Sequence, residues 1–436
     1  MLDPERVPAD RLAARQRGRL AAYVATEVHP FSPTDGPRLD RSGLGRNGLR
    51  ELADLRRLPP VAVDDVDGIE AVLRPTPDGL AASAHRWRWL YARLTGGRAR
   101  YVDEHVEPAF RAIHFDDHGG LVVASTATDL DRLGDLGRQM LGRLGVRPDD
   151  AVVSVLPARG DLGFWQVALG CRRGGVPALH LGPDADDRDV AAYAPSVLVG
   201  RLDELVALAD DDEPSVRLVL VVGAGPLAPA DRALVGGRFP GAAVRAAWAP
   251  RGVRALWSEC AAGELHTWPD AEVVEVVAPD GRPAPEGHVG EVVWTPIDWH
   301  GTVVLRLATG LHAAMATGPC PGCGRTAPRL EAALGAEAMA GADPAPPATE
   351  LDPEGELEEA LDAVLEDEPL VADWFAEDTP DGLVVELAPP AGRRAALEAD
   401  LGRLGEVLGA DRLVVVRPSR VAARIEAAGG RRVDLG

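Results

Sequence analysis

Two stretches decide how this chain is read: Glu259-Cys260-Ala261-Ala262-Gly263-Glu264-Leu265-His266 and, some fifty residues on, Cys320-Pro321-Gly322-Cys323-Gly324-Arg325. A Cys-x2-Cys pair on a tight Pro/Gly turn sets two thiolates on one side of the backbone, and Cys260-x5-His266 supplies a third thiolate and an imidazole. Zn²⁺ binds four N/S ligands tetrahedrally, so Cys260, His266, Cys320 and Cys323 are the expected ligands of a structural zinc, with His300 and His312 as substitutes should His266 point away. Four filled positions argue against a hydrolytic zinc, which needs an open one. Between the pairs lie two strand-like runs, Glu272–Val277 and Val289 to Trp294, so the metal is expected to clamp a small sheet. Cys171 stands apart from any Cys or His and reads as a core thiol.

Upstream of this stretch the pattern is strand, helix, strand. Residues 151–156, 176–181, 196–199 and 216–222 are short apolar runs, alternating with helical segments at 164–173, 202–209 and 230–239. Apolar strands without polar alternation, separated by helices, indicate parallel βαβ units buried on both faces. The first hundred residues read as polar helices at 11–26, 49–60 and 85–94. A strand at 121–124 leads into a helix ending near Leu144, with Thr128 as the expected N-cap. Downstream, 341–347 reads Gly-Ala-Asp-Pro-Ala-Pro-Pro, a tether, and beyond it comes a helix–strand–strand–helix–strand set of about eighty residues. The expected organisation is an α/β N-terminal domain over 1–331, a linker over 332–350 and a small α+β domain over 351–436.

Composition bounds the function. The formal charge is −22 over 436 residues, which disfavours nucleic acid as a partner. No apolar run reaches the roughly 20 residues a membrane span needs. The charged N-terminus lacks a signal-peptide core, and a cytoplasmic location is the expectation. All 46 basic residues are arginine, so every mechanism that requires a lysine is excluded.

Several segments together resemble the phenylacetate-CoA ligase branch of the adenylate-forming enzymes. They are Glu259-Cys260, Leu265-His266-Thr267-Trp268-Pro269-Asp270, Gly287-His288-Val289-Gly290-Glu291-Val292-Val293-Trp294-Thr295 and the knuckle at Cys320, with Asp54-Leu55-Arg56-Arg57-Leu58-Pro59 and Ile113-His114 further upstream. Gly223, Ala224, Gly225 and Pro226 sit where that family has its Gly-Ala-Glu-Pro nucleotide loop. Trp248 sits at its adenine-stacking aromatic, and Thr309 and Gly310 in its ribose segment. The resemblance implies a large adenylate-forming domain and a small C-terminal one. It implies ATP, AMP, Mg²⁺ and coenzyme A as cofactors, a small carboxylate as substrate, and an acyl-adenylate intermediate.

The residues that would perform this chemistry depart from the pattern. After His114 a phosphate-binding loop with a lysine is replaced by Phe115-Asp116-Asp117-His118-Gly119-Gly120. The Mg²⁺-binding glutamate falls on Pro250 or Gly252, and the ribose-binding aspartate on Leu311, which cannot accept hydroxyl hydrogen bonds. The hinge reads Gly335-Ala336-Glu337-Ala338, and Arg431 or Arg432 stands near the place of the C-terminal lysine. Each lost electrostatic group typically costs about 10²–10³ in rate. The expectation is therefore a pseudoenzyme that binds a carboxylate, a nucleotide fragment or a protein partner. The alternative is a divergent acid-CoA ligase in which Asp116, Asp117 and His118 hold Mg²⁺ and Arg306 or Arg431 the phosphates.

Overall fold

A computed structural model describes residues 6–66, 71–74, 85–105, 110, 112–115, 122–158, 161–183, 185, 187–208, 216–223, 225–332, 361, 365, 370–379, 382–390, 393–408, 412–416, 420–421, 424–425 and 433–434. Ala224, Asp116, Asp117, His118, the hinge at 335–338, the tether at 341–347, and Arg431 and Arg432 lie outside these residues. The chain divides into two compact units, Met1–Asp343 and Pro344–Gly436.

The strands of the first unit are β1 (Val61–Ala62), β2 (Ala112–Phe115), β3 (Val122–Ser125), β4 (Val152–Ser154), β5 (Ala178–His180), β6 (Val197–Gly200), β7 (Leu218–Gly223), β8 (Ala243–Trp248), β9 (Trp257–Glu259), β10 (Leu265–His266), β11 (Glu272–Val277), β12 (Val289–Pro296), β13 (Leu307–Ala316) and β14 (Arg329–Ala332). Twelve of them form one sheet in the order β11-β12-β13-β14-β10-β9-β8-β7-β6-β4-β5, with β1 alongside β13. Strands β4 to β8 pair in parallel. The apolar runs that build them leave β4 and β6 buried along their whole lengths, as expected for a sheet covered on both faces. At β9 the chain reverses, pairing Ala247 with Ser258 and Trp248 with Trp257. The strands around the Cys/His stretch thus continue the parallel sheet as its antiparallel half.

Helices Ala127–Arg143 and Leu162–Gly174 cross where both carry glycine. A Cβ at Gly137 would meet the Gln166 carbonyl oxygen at 2.2 Å, so the close approach requires the absent side chain. The first of these helices is capped by Thr126, not Thr128. The Thr126 hydroxyl accepts from the Asp129 N–H while Asp129 reaches back to the Thr126 N–H. Thr126 and Thr128 each have an aspartate three residues on, but Asp131 pairs with Arg100 whereas Asp129 closes the reciprocal box with Thr126. The helix expected over 49–60 is reduced to a 3-10 turn, Leu52–Arg57.

The second unit carries β15 (Asp373–Thr379), β16 (Gly382–Ala388), β17 (Arg412–Val415) and β18 (Val433–Asp434) in the order β17-β16-β15-β18. Leu397 and Leu404 of helix Arg394–Leu408 pack with Trp374, Val385 and Leu387 in its core.

Candidate functional site

Ligands of open α/β sheets sit beyond the carboxyl ends of the parallel strands, and there the sequence places Gly223 and Trp248, register partners at the ends of β7 and β8. Gly225 and Pro226 follow directly. They line a cleft of about 400 Å³ with Arg201, Asp203 and Asp231. A second cleft of about 790 Å³ runs from Pro226 and Trp248 past Arg232 and Glu259 to Met315 and Arg329. Trp248 is 2% exposed, its ring set edge-on against Trp257 at 5.5 Å. Glu259, in this second cleft, is held by the framework: it pairs with Arg232 and accepts from the Ala246 N–H at 2.9 Å.

Thr309 and Gly310 are not among the described residues that line these two clefts. Thr309 is buried on β13 and donates its hydroxyl to the Val292 carbonyl at 2.8 Å, and Gly310 has φ +71°. Leu311 packs against the main hydrophobic core. Arg306, offered above as a phosphate ligand, is 3% exposed; its Nε donates to Glu275 at 2.9 Å and its guanidinium also reaches the Leu58 carbonyl. Burial of this guanidinium is tolerated because a carboxylate and a carbonyl satisfy its donors. Its charge is paired with Glu275.

Cys260 follows β9, His266 ends β10, and Cys320 and Cys323 occupy the turn between β13 and β14. Their ligand atoms all lie within 4.8 Å of one another. Cys323 Sγ stands 3.5 Å from His266 Nε2, while His266 Nδ1 faces the Ala327 carbonyl at 3.2 Å. An Nδ1–H donated to that carbonyl leaves the Nε2 lone pair toward the sulfurs, the arrangement a metal-bound histidine requires. Zn²⁺ about 2.3 Å from sulfur and about 2.0 Å from nitrogen holds tetrahedral ligand atoms roughly 3.5 Å apart, so the donor set and spacing fit that ion. His266 fills the place for which His300 and His312 were substitutes. Burial, and then the Arg143 charge, push the His266 pKa down to about 3, keeping the imidazole neutral. Burial raises Cys260. Cys323 is lowered against the opposing effect of burial, by hydrogen bonds from Arg325. The knuckle also needs its glycine: a Cβ at Gly322 would meet the Ala262 Cβ at 2.1 Å.

Two charged groups beneath this cluster escaped the sequence reading. Arg143 is buried, with its guanidinium 4.0 Å from the Trp268 ring and donating to the Ser258 and His266 carbonyls at 3.2 and 2.9 Å. Glu272 accepts from the Trp257 and Trp294 indole N–H groups and the Trp268 backbone N–H, each at 2.7 Å. Burial nevertheless raises its pKa to about 7. Arg143 had a signal: it stands on the Leu136, Met140 stripe that faces the core.

No protein-family model matches the chain, and no curated protein matches it. Among solved structures it is similar to 2-hydroxyisobutyryl-CoA ligase. Against that ligase in complex with 2-HIB-AMP and CoA in the thioesterification state, the TM-score is 0.62 at 17% identity, covering 99% of this chain and 91% of the other. Against its open conformation with 2-HIB-AMP and CoA, the TM-score is 0.61 at 18% identity, covering 95% and 90%. The chain therefore shares the fold of an acyl-CoA ligase over nearly its whole length. No helix among the described residues is long and apolar enough to cross a membrane.

Proposed function

We propose that this protein is an adenylate-forming-type protein of the phenylacetate-CoA ligase branch that binds a carboxylate or nucleotide ligand at the ends of β7 and β8 without lysine-dependent acyl adenylation. The observation that carries this is the loss of the charged groups in three places. Leu311, at the ribose-binding position of the resembled family, is a half-buried apolar side chain packed against the core, and the whole chain holds no lysine for either the phosphate loop or the C-terminal domain. What supports retained binding is the pair of clefts meeting at Pro226. In this reading Gly223, Ala224, Gly225, Pro226 and Trp248 contact the ligand. Cys260, His266, Cys320 and Cys323 hold a structural zinc that ties the β9–β10 hairpin to the β13–β14 turn, and a tether near 332–350 joins the two domains.

Thermal-shift measurement tests the binding half. A ligand at about 100 times its dissociation constant adds roughly 2.7 kcal/mol to the folded state, so AMP, phenylacetate or CoA at millimolar concentration is expected to raise the melting temperature. Absence of a shift with all three, and with ATP, overturns the proposal. A second reading, a divergent acid-CoA ligase, is favoured by one observation: the similar ligase, crystallised with 2-HIB-AMP and CoA, is matched across 91% of its length. In that case arginine replaces lysine, and turnover with ATP decides the matter.

A further inference from the structure

Far from the β7 and β8 ends in sequence, three elements bring Glu27, His105 and His300 together. Glu27 lies in the π-helical turn Val24–Val28 and is 4% exposed. His105 ends the helix Arg98–His105, and His300 follows β12. A single π-turn is uncommon and is frequently found at functional sites. One ligand atom from each of the three residues lies within 4.8 Å of the others. Glu27 Oε2 and His105 Nδ1 are 3.6 Å apart. That distance is beyond hydrogen-bond reach, but it is close to the separation of two atoms that each sit about 2.1 Å from one ion. The rings of His105 and His300 are 5.2 Å apart and steeply inclined, at 70°.

The surroundings are built to hold these groups in place. The second Glu27 oxygen pairs with Arg88. Fully buried Asp129 accepts the backbone N–H groups of His300 and Gly301 at 2.8 and 2.9 Å and lies 3.8 Å from His300 Nδ1. These backbone hydrogen bonds fix the segment that carries the His300 ring beside a buried carboxylate. Beside His105 opens a pocket of about 500 Å³ lined by Trp87, Arg88, Tyr91, Arg100 and Tyr101. Trp87 and Tyr91 are 72% and 70% exposed, an unusual position for two large aromatic rings on one helix face, and a ligand in the pocket would cover them.

We propose that Glu27, His105 and His300 form a second, open metal site that holds a divalent first-row transition-metal ion, and that the aromatic pocket beside it receives a small carboxylate with an apolar body. Two imidazoles and one carboxylate are the donor set of three-ligand zinc and non-haem iron sites, which keep a position for an exogenous ligand. With Glu27 balanced by Arg88, and Asp129 by Arg254 at 3.5 Å, the dication leaves net positive charge facing the pocket. An anion is the ligand that charge favours, and Trp87, Tyr91 and Tyr101 supply the apolar walls.

Cobalt substitution of the full-length protein tests this. Cobalt in a thiolate site shows a sulfur-to-cobalt charge-transfer band, and cobalt bound by imidazole and carboxylate does not. The expected result is one equivalent of Co²⁺ taken up without that band, retained in Cys320→Ser and lost in both His105→Ala and His300→Ala. Benzoate is expected to shift the d–d spectrum of this cobalt in the wild type and in Cys320→Ser. The wild-type stoichiometry needs no variant to fold: if every bound cobalt carries the thiolate band, the site does not exist. Wild-type uptake in both histidine variants likewise overturns the assignment, and a benzoate-insensitive spectrum overturns the open position.

Discussion

Replacing Glu272 by glutamine should remove a pH dependence that this one carboxyl imposes on folding. The side chain is fully buried among three tryptophans, and burial lifts its pKa from the ordinary 4.5 to about 7. The folded state therefore binds a proton that the unfolded state has already released between these values. The stabilisation this provides is complete below about pH 4.5 and is lost as pH rises through about 7. At about 1.4 kcal/mol per pH unit the change is worth ~3 kcal/mol. Burial also raises Asp35, to about 6, and raises Glu275 and Glu204, so the wild-type profile alone mixes several groups. The difference between wild type and Glu272→Gln isolates one. Urea melts at pH 5 and pH 8 should show the wild-type advantage shrinking by ~3 kcal/mol between the two. At pH 5 the glutamine still confronts the Trp294 N–H with an amide donor, costing about 1–3 kcal/mol, and that cost is pH-independent. A wild-type-minus-variant difference that stays constant from pH 5 to pH 8 would refute the reasoning.

Cys320→Ser should release the metal and lower the melting temperature by roughly 5–10 °C, since a structural site contributes its binding free energy to folding; metal analysis and calorimetry on the same sample check both, and a metal-free wild type would contradict it. Gly137→Ala should cost about 1–3 kcal/mol through overpacking at the helix crossing, where the new Cβ meets the Gln166 carbonyl. A stability within 0.5 kcal/mol of wild type, on the scale of surface substitutions, would show that the crossing relaxes.

The parallel strands were legible because β6 and β7 are uninterrupted apolar runs and β4 is broken only by Ser154, a pattern that exposure on either face would have disrupted further. The pairing of Cys260 and His266 with Cys320 and Cys323 was legible from ligand spacing, and the four side chains do meet. Sheet continuity was not, because the turn at Pro250-Arg251-Gly252 marks a chain reversal without showing that Trp248 and Trp257 pair across it. Thr309 and Gly310 were placed by resemblance; they lie on β13, whose Ala314, Met315 and Ala316 line the second cleft. The Glu27, His105 and His300 cluster could not be read from the sequence: its members are separated by up to 273 positions, with no motif spacing among them. Buried charge is similarly hard to see. Nothing local distinguishes Glu272, caged by tryptophan N–H groups, from Glu291 on the neighbouring strand.

The central claim is that this fold has kept a ligand cleft and lost lysine-dependent acyl adenylation. Pyrophosphate release with ATP, Mg²⁺, CoA and a panel of aromatic and aliphatic carboxylates, including phenylacetate and 2-hydroxyisobutyrate, tests it most directly. The account predicts release at the no-carboxylate background throughout the panel. Sustained carboxylate-dependent release that is abolished by Arg431→Ala or Asp116→Ala would contradict it and establish a working ligase.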